Sequence, residues 1–220
     1  MLRVGLTGDL GSGKSTVARM FAERGGVVLS SDEMGRKLMQ PGQPVYAAIV
    51  EHFGGTVVAE DGAFDRRVLA RLAFTEGRVE ELNAIVHPAV IAEQARLIKG
   101  LARKHPDAIV IVESALLFTT KYGNSSQPWR DRFDRMVLVT APEEQKIARF
   151  VERAAAGRLL DPQERAALEA DARARLAMQT ANEAHAAECL VIQNNGDLVT
   201  LLQRVGVVWR ELCQVARFEP

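Results

Sequence analysis

The sequence predicts an α/β fold built on a parallel sheet with helices on both faces, and three observations carry that expectation. Short apolar runs with a β-branched bias, "AIVIV" (108–112), "RMVLVT" (135–140) and "CLVIQ" (189–193), have the pattern of strands covered on both sides. Segments of helical periodicity stand between the runs, and strands alternating with helices imply a parallel sheet. Finally, a glycine-rich turn, "GDLGSGKS" (8–15), joins the first apolar run to the first helical stretch.

Taken in order, residues 3–6 read as a short strand that ends at the glycine turn. Val17, Met20 and Phe21 then fall at helical spacing, and Gly25-Gly26 supplies the stop. "VVLSS" (27–31) is a second strand. From 33 to about 106 the character becomes helical: "PVYAAIVEHFGG" ends at paired glycines, "DRRVLARLAF" starts at a capping Asp65, and "VEELNAIV" leads to His87-Pro88, which reads as a rigid corner. Asp161-Pro162-Gln163-Glu164 combines an N-cap, a first-turn proline and an N3 glutamate. The last helix runs from about Asp197, with Leu198, Leu201, Leu202, Val205, Trp209 and Leu212 on one packing stripe. The expected organisation is a single domain over 1–220. Its core comprises 1–32, 107–148 and 186–220, with a helical insert at 33–106 and a lid at about 149–185.

Composition narrows the function classes. The 220 residues carry 28 basic and 28 acidic side chains, and zero net charge argues against nucleic acid as the partner. Cys189 and Cys213 fit no metal or redox spacing, so free thiols are expected. The opening residues are too short and glycine-rich for a secretory signal, and no apolar run approaches the ~18 residues of a membrane span. The expectation is a cytoplasmic monomer without membrane contact.

The glycine turn explains itself as G-x-x-x-x-G-K-[ST] at Gly8, Gly13, Lys14 and Ser15, placed between a strand and a helix. Glycine costs roughly 0.5–1 kcal/mol relative to alanine in a structured segment, so a cluster of them needs a reason. Here the reason is a backbone whose N–H groups turn inward on a phosphate, aided by the positive end of the following helix. Gly11, Ser12, Gly13, Lys14, Ser15 and Thr16 are the expected ATP-binding residues. Lys14 would reach the β- and γ-phosphates, and the Ser15 hydroxyl would ligate Mg²⁺.

Two classes use such a loop. Asp32-Glu33-Met34-Gly35 matches the D-x-x-G of GTP-binding switches, but Thr120-Lys121-Tyr122-Gly123 lacks both end residues of their guanine-reading Asn-Lys-x-Asp. A small-molecule kinase fits better, its acceptor held by the insert and its lid bearing arginines. Arg149 and Arg153, four apart on one helix face, could close on the transferring phosphate, and Arg158 lies in the turn after them. A solvated helix face is the plainer reading of either arginine singly.

The order "VGLTGDLGSGKSTVARMFAERGGVVLSSDEMGR", "LNAIVHPAV", "ALLF" and "VIQNNG" resembles the dephospho-coenzyme A kinase family over about residues 2 to 205. The resemblance implies a P-loop nucleotide-kinase fold with an acceptor-binding insert. It also implies ATP-dependent phosphorylation of the ribose 3′-hydroxyl of dephospho-coenzyme A, the last step in making coenzyme A, with Mg²⁺. Another P-loop nucleoside or nucleotide kinase is the alternative. Asp32 matches the family's aspartate at the acceptor hydroxyl, and a helix N-cap is its plainer role. His87 is implied at the acceptor site or a phosphate, and an ordinary buried histidine fits equally. Asn195, within Asn194-Asn195-Gly196, resembles the loop against adenine. Two departures stand out. Asp9 replaces a usual glycine and should be accommodated by pointing outward. Glu113, in Glu113-Ser114-Ala115-Leu116-Leu117, stands for the family's aspartate as the carboxylate that orients metal or water. Trp129, within the polar stretch 119–133, could be an acceptor contact or an anchor.

Overall fold

The structure is a computed structural model that describes residues 1–121 and 128–218. The chain begins with β1 (Leu2–Gly8), α1 (Lys14–Ala22) and β2 (Val27–Ser30). There follow α2 (Ser31–Leu38), α3 (Pro44–Phe53), α4 (Arg66–Ala70) and α5 (Val79–Lys104). Next come β3 (Ile109–Glu113), α6 (Pro128–Arg132), β4 (Arg135–Thr140), α7 (Glu143–Ala155), α8 (Pro162–Ala177) and α9 (Ala181–Ala184). The strand β5 (Leu190–Gln193) and α10 (Leu198–Phe218) complete it. Two compact units result, one of residues 1–29 with 101–220 and the other of residues 30–100.

In the first unit the five strands lie in the order β2-β3-β1-β4-β5. β1 is parallel to both β3 and β4, and β4 is parallel to β5. The expected parallel sheet is therefore present, and its strand boundaries fall within two residues of those read from the apolar runs. β3 is buried at all five positions, as a strand covered on both faces must be. Alternation divides its neighbours: Leu2, Val4 and Leu6, with Ile109, Ile111, Val137, Val139 and Ile192, form one cluster with α1 and α10. Val110, Val112, Met136 and Leu138 are buried on the alternate positions. Val17, Met20 and Phe21 of α1 are buried as their spacing predicts, and Leu201, Val205, Val208 and Leu212 line α10. Leu198 does not belong to that stripe. It sits in the first turn of α10 and is 59% exposed.

α7 and α8 form a hairpin with its own core of Ile147, Phe150, Val151 and Ala172. The Asp161 side chain accepts from the N–H groups of Gln163 and Glu164, and Glu164 answers to the Asp161 N–H, the capping box anticipated from sequence.

The second unit packs α3, α4 and α5 around Val45, Ile49, Val57 and Leu69. Asp65 caps α4 as expected. The corner at His87-Pro88 does not exist: both residues lie inside the 26-residue helix α5. Proline removes one N–H and crowds the preceding turn, but a helix held by neighbouring turns and tertiary packing can absorb that loss.

Candidate active site

Parallel strands deliver their C-terminal ends to one edge of the sheet, where ligands of open α/β folds bind. The register puts Glu113 opposite Leu6 and Val139 opposite Gly8, so the glycine turn, the end of β3 and the end of β4 share that edge. β5 ends beside β4, with Gln193 opposite Thr140, which brings Asn194 there too.

The turn itself is built by what its glycines lack. Gly13 has φ +95°, and a Cβ there would lie 2.2 Å from the Asn194 amide nitrogen. At Gly11, φ +70°, a Cβ would lie 2.1 Å from the Lys146 carbonyl oxygen. The chain can thus pass between α7 and the loop after β5 only as bare backbone. Gly13 is the N-cap of α1, and no side chain caps that helix start. The N–H groups of Lys14 and Ser15 precede the first bonds of the helix, which run from Thr16 and Val17 to the Gly13 carbonyl, and are suited to an anion. The Ser12 hydroxyl is fully buried with no partner among the described residues.

The residues expected around a nucleotide meet here in part. The Lys14 ammonium donates to the Asp9 carbonyl at 3.4 Å. The Ser15 hydroxyl donates to Glu113 at 3.2 Å, so the two candidate metal ligands, 98 residues apart in sequence, are in contact. Glu113 is buried and offers a hard carboxylate oxygen next to a hydroxyl. That pairing fits Mg²⁺, which takes one or two protein oxygens and completes its shell with water and phosphate. Among the described residues no group of three or more His, Cys, Asp or Glu could hold a metal on its own.

Of the two arginines expected in a lid, Arg149 reaches the loop. Its guanidinium donates to the Asn194 carbonyl at 3.0 Å, the Gly11 carbonyl at 3.4 Å and the Gln145 side chain at 3.2 Å. Arg153 is exposed one turn further along α7, with its guanidinium 5.9 Å from the Phe150 ring centre. In the late loop, the buried Asn194 touches the glycine turn, its amide donating to the Ser12 carbonyl at 2.8 Å. Asn195 is exposed and accepts from Arg204 at 2.6 Å.

Asp9 does not point outward to solvent. Its carboxylate pairs with Lys146 and accepts from Asn182, with 19% of the side chain exposed. Trp129 is an anchor: it is buried, with Phe118 edge-on at 5.1 Å and His185 at 5.5 Å. Part of the polar stretch around it, 122–127, lies outside the described residues. Both cysteines are free, and burial pushes the Cys189 thiol up to about 11.

In the second unit, Asp32 is exposed in the first turn of α2. The N-cap is Ser30, whose hydroxyl accepts from the Glu33 N–H, so capping is not the work of Asp32. Gln94 of α5 is buried and donates to the Ser31 hydroxyl at 2.8 Å, tying down the turn that carries Asp32. His87 is half-buried on α5. Burial pushes its imidazole below the ordinary value, against an opposing pull from Glu80.

The family model described as dephospho-CoA kinase matches residues 2–200. The chain belongs to the dephospho-CoA kinase family. It is 39% identical to a dephospho-CoA kinase of Streptomyces avermitilis over 96% of this chain and 94% of the relative. A Methylococcus capsulatus dephospho-CoA kinase is also 39% identical, over 98% of this chain and 99% of its own. A crystal structure from Thermus thermophilus, 28% identical, superposes with a TM-score of 0.70 and covers 100% of this chain and 98% of that one. The kinase reading and the P-loop fold are thereby established, and the GTP-switch reading falls away.

Sequence reasoning about this kinase missed the residues that hold the phosphate loop in shape. Gln179 accepts from the Leu10 N–H at 2.7 Å, and Asn182 links Thr7 to Asp9. Neither forms a motif. Both lie in "AMQTANEAHAA" (177–187), where polar residues and alanines mix at no diagnostic spacing.

Proposed function

We propose that this kinase transfers the γ-phosphoryl group of ATP to the ribose 3′-hydroxyl of dephospho-CoA, giving coenzyme A. The observation that carries the reading is the uncapped start of α1 behind Gly11 and Gly13, with the Ser15–Glu113 contact beside it. Lys14 would draw charge from the β- and γ-phosphates, and Arg149, already against the loop, would orient them. Arg153 would approach from the next turn. Ser15 and Glu113 would hold Mg²⁺, which would offset the charge of the phosphates when bound. The carboxylate of Asp32 would accept the proton of the acceptor hydroxyl and aim its oxygen at phosphorus. The insert would carry the acceptor, with His87 in its wall, and Asn195 would lie near adenine. A monomer in the cytoplasm is the setting we infer. Both cysteines are free, and among the described residues no helix is long and apolar enough to cross a membrane.

The test is an acceptor panel with ATP and Mg²⁺, products being identified by mass and by position of phosphorylation. Dephospho-CoA should exceed AMP, CMP and free nucleosides in kcat/KM. A nucleoside monophosphate as the better substrate would overturn the acceptor assignment while leaving the loop reading intact.

A further inference from the structure

Asp9 places a negative charge inside the loop that should receive a triphosphate, and the structure shows what offsets it. One carboxylate oxygen pairs with the Lys146 ammonium at 2.5 Å, and the other accepts from the Asn182 amide at 2.8 Å. Asn182 is itself fixed, accepting from the buried Thr7 hydroxyl at 3.1 Å. Lys146 is 15% exposed, and its backbone carbonyl is the group that Gly11 packs against. Leu10, the next residue, joins the apolar core of the α7–α8 hairpin. The turn 9–11 is therefore seated on the lid helices, with the acid–base pair at the seat.

We propose that Lys146 is a positioning and neutralising residue for nucleotide binding: by pairing with Asp9 it allows an acidic phosphate loop to accept ATP. The inference rests on the reading of residues 8–15 as the nucleotide site. Remove the ammonium, and a poorly solvated carboxylate faces the incoming phosphates. Remove both charges, and the repulsion disappears. ATP affinity thus depends on Lys146 through Asp9, which a direct lysine–phosphate contact would not require.

The test is ATP affinity with Mg²⁺, measured by calorimetry alongside thermal unfolding, for the parent, Lys146→Met, Asp9→Asn and the double variant. Lys146→Met should bind ATP on the order of tenfold more weakly. Adding Asp9→Asn should restore most of that affinity. The Lys146→Met defect should also shrink as ionic strength rises, which a packing defect would not do. Asp9→Asn alone should bind ATP at least as tightly as the parent. If Lys146→Met is not recovered folded, Asp9→Asn and the charge-retaining Lys146→Arg carry the test: both should hold parental affinity or better. Equal weakness of the single and double variants, or weaker binding by Asp9→Asn, overturns the inference. A parent that binds no ATP overturns the loop reading itself, and the inference with it.

Discussion

At the scale of single residues, the loop and the acceptor carboxylate make opposite demands on a mutation. Asp32 is exposed, and Ser30 already caps its helix, so Asp32→Asn leaves that cap unchanged. As the group that takes the acceptor's proton, it should contribute about 10²–10⁴ in kcat. The expected variant unfolds at the parental temperature, binds ATP normally and barely transfers phosphate; unimpaired turnover would remove the catalytic role. Lys14→Ala should likewise fold, and should lose about 10²–10³ in kcat through missing charge at the phosphoryl group. The contrast lies in nucleotide affinity, which Lys14→Ala lowers and Asp32→Asn spares. Ser15 and Glu113 were legible as separate candidates because their chemistry is specific to a phosphate loop and a strand end. The burial of Asn194 against the loop was not legible, since a run of two asparagines does not reveal which side chain the turn will bury.

At the scale of elements, strands were read well and the long helix was not. Strand boundaries follow from continuous burial, which leaves a continuous apolar run whatever the neighbours are. α5 was divided at His87-Pro88 because proline is a local stop signal, whereas the helix around it is sustained by 26 residues of backbone bonding and by packing. That gives a prediction. Pro88 is exposed, so replacing it removes little packing and returns one N–H to the helix. Pro88→Ala should raise the stability of the protein by up to about 3 kcal/mol, read from chemical denaturation. A lower midpoint would mean that the proline ring, or the bend it imposes, is needed.

At the scale of the whole molecule, a protein whose loop is organised for phosphate should be stabilised by nucleotide through mass action. At a hundredfold excess of ATP and Mg²⁺ over Kd, the gain should be about 2.7 kcal/mol, seen as a higher unfolding temperature. Lys14→Ala should show a smaller gain at the same ATP concentration. No shift in the parent protein would argue that the loop does not bind nucleotide. The contact between the Asn194 amide and the Ser12 carbonyl joins residues 182 apart in sequence. During synthesis the phosphate loop leaves the ribosome long before its asparagine brace. Strand β1 meets both of its sheet neighbours only after more than a hundred further residues have emerged. A nascent chain can therefore display the whole nucleotide motif long before the brace that shapes it exists, and a chain that stops short of Asn194 should bind ATP weakly.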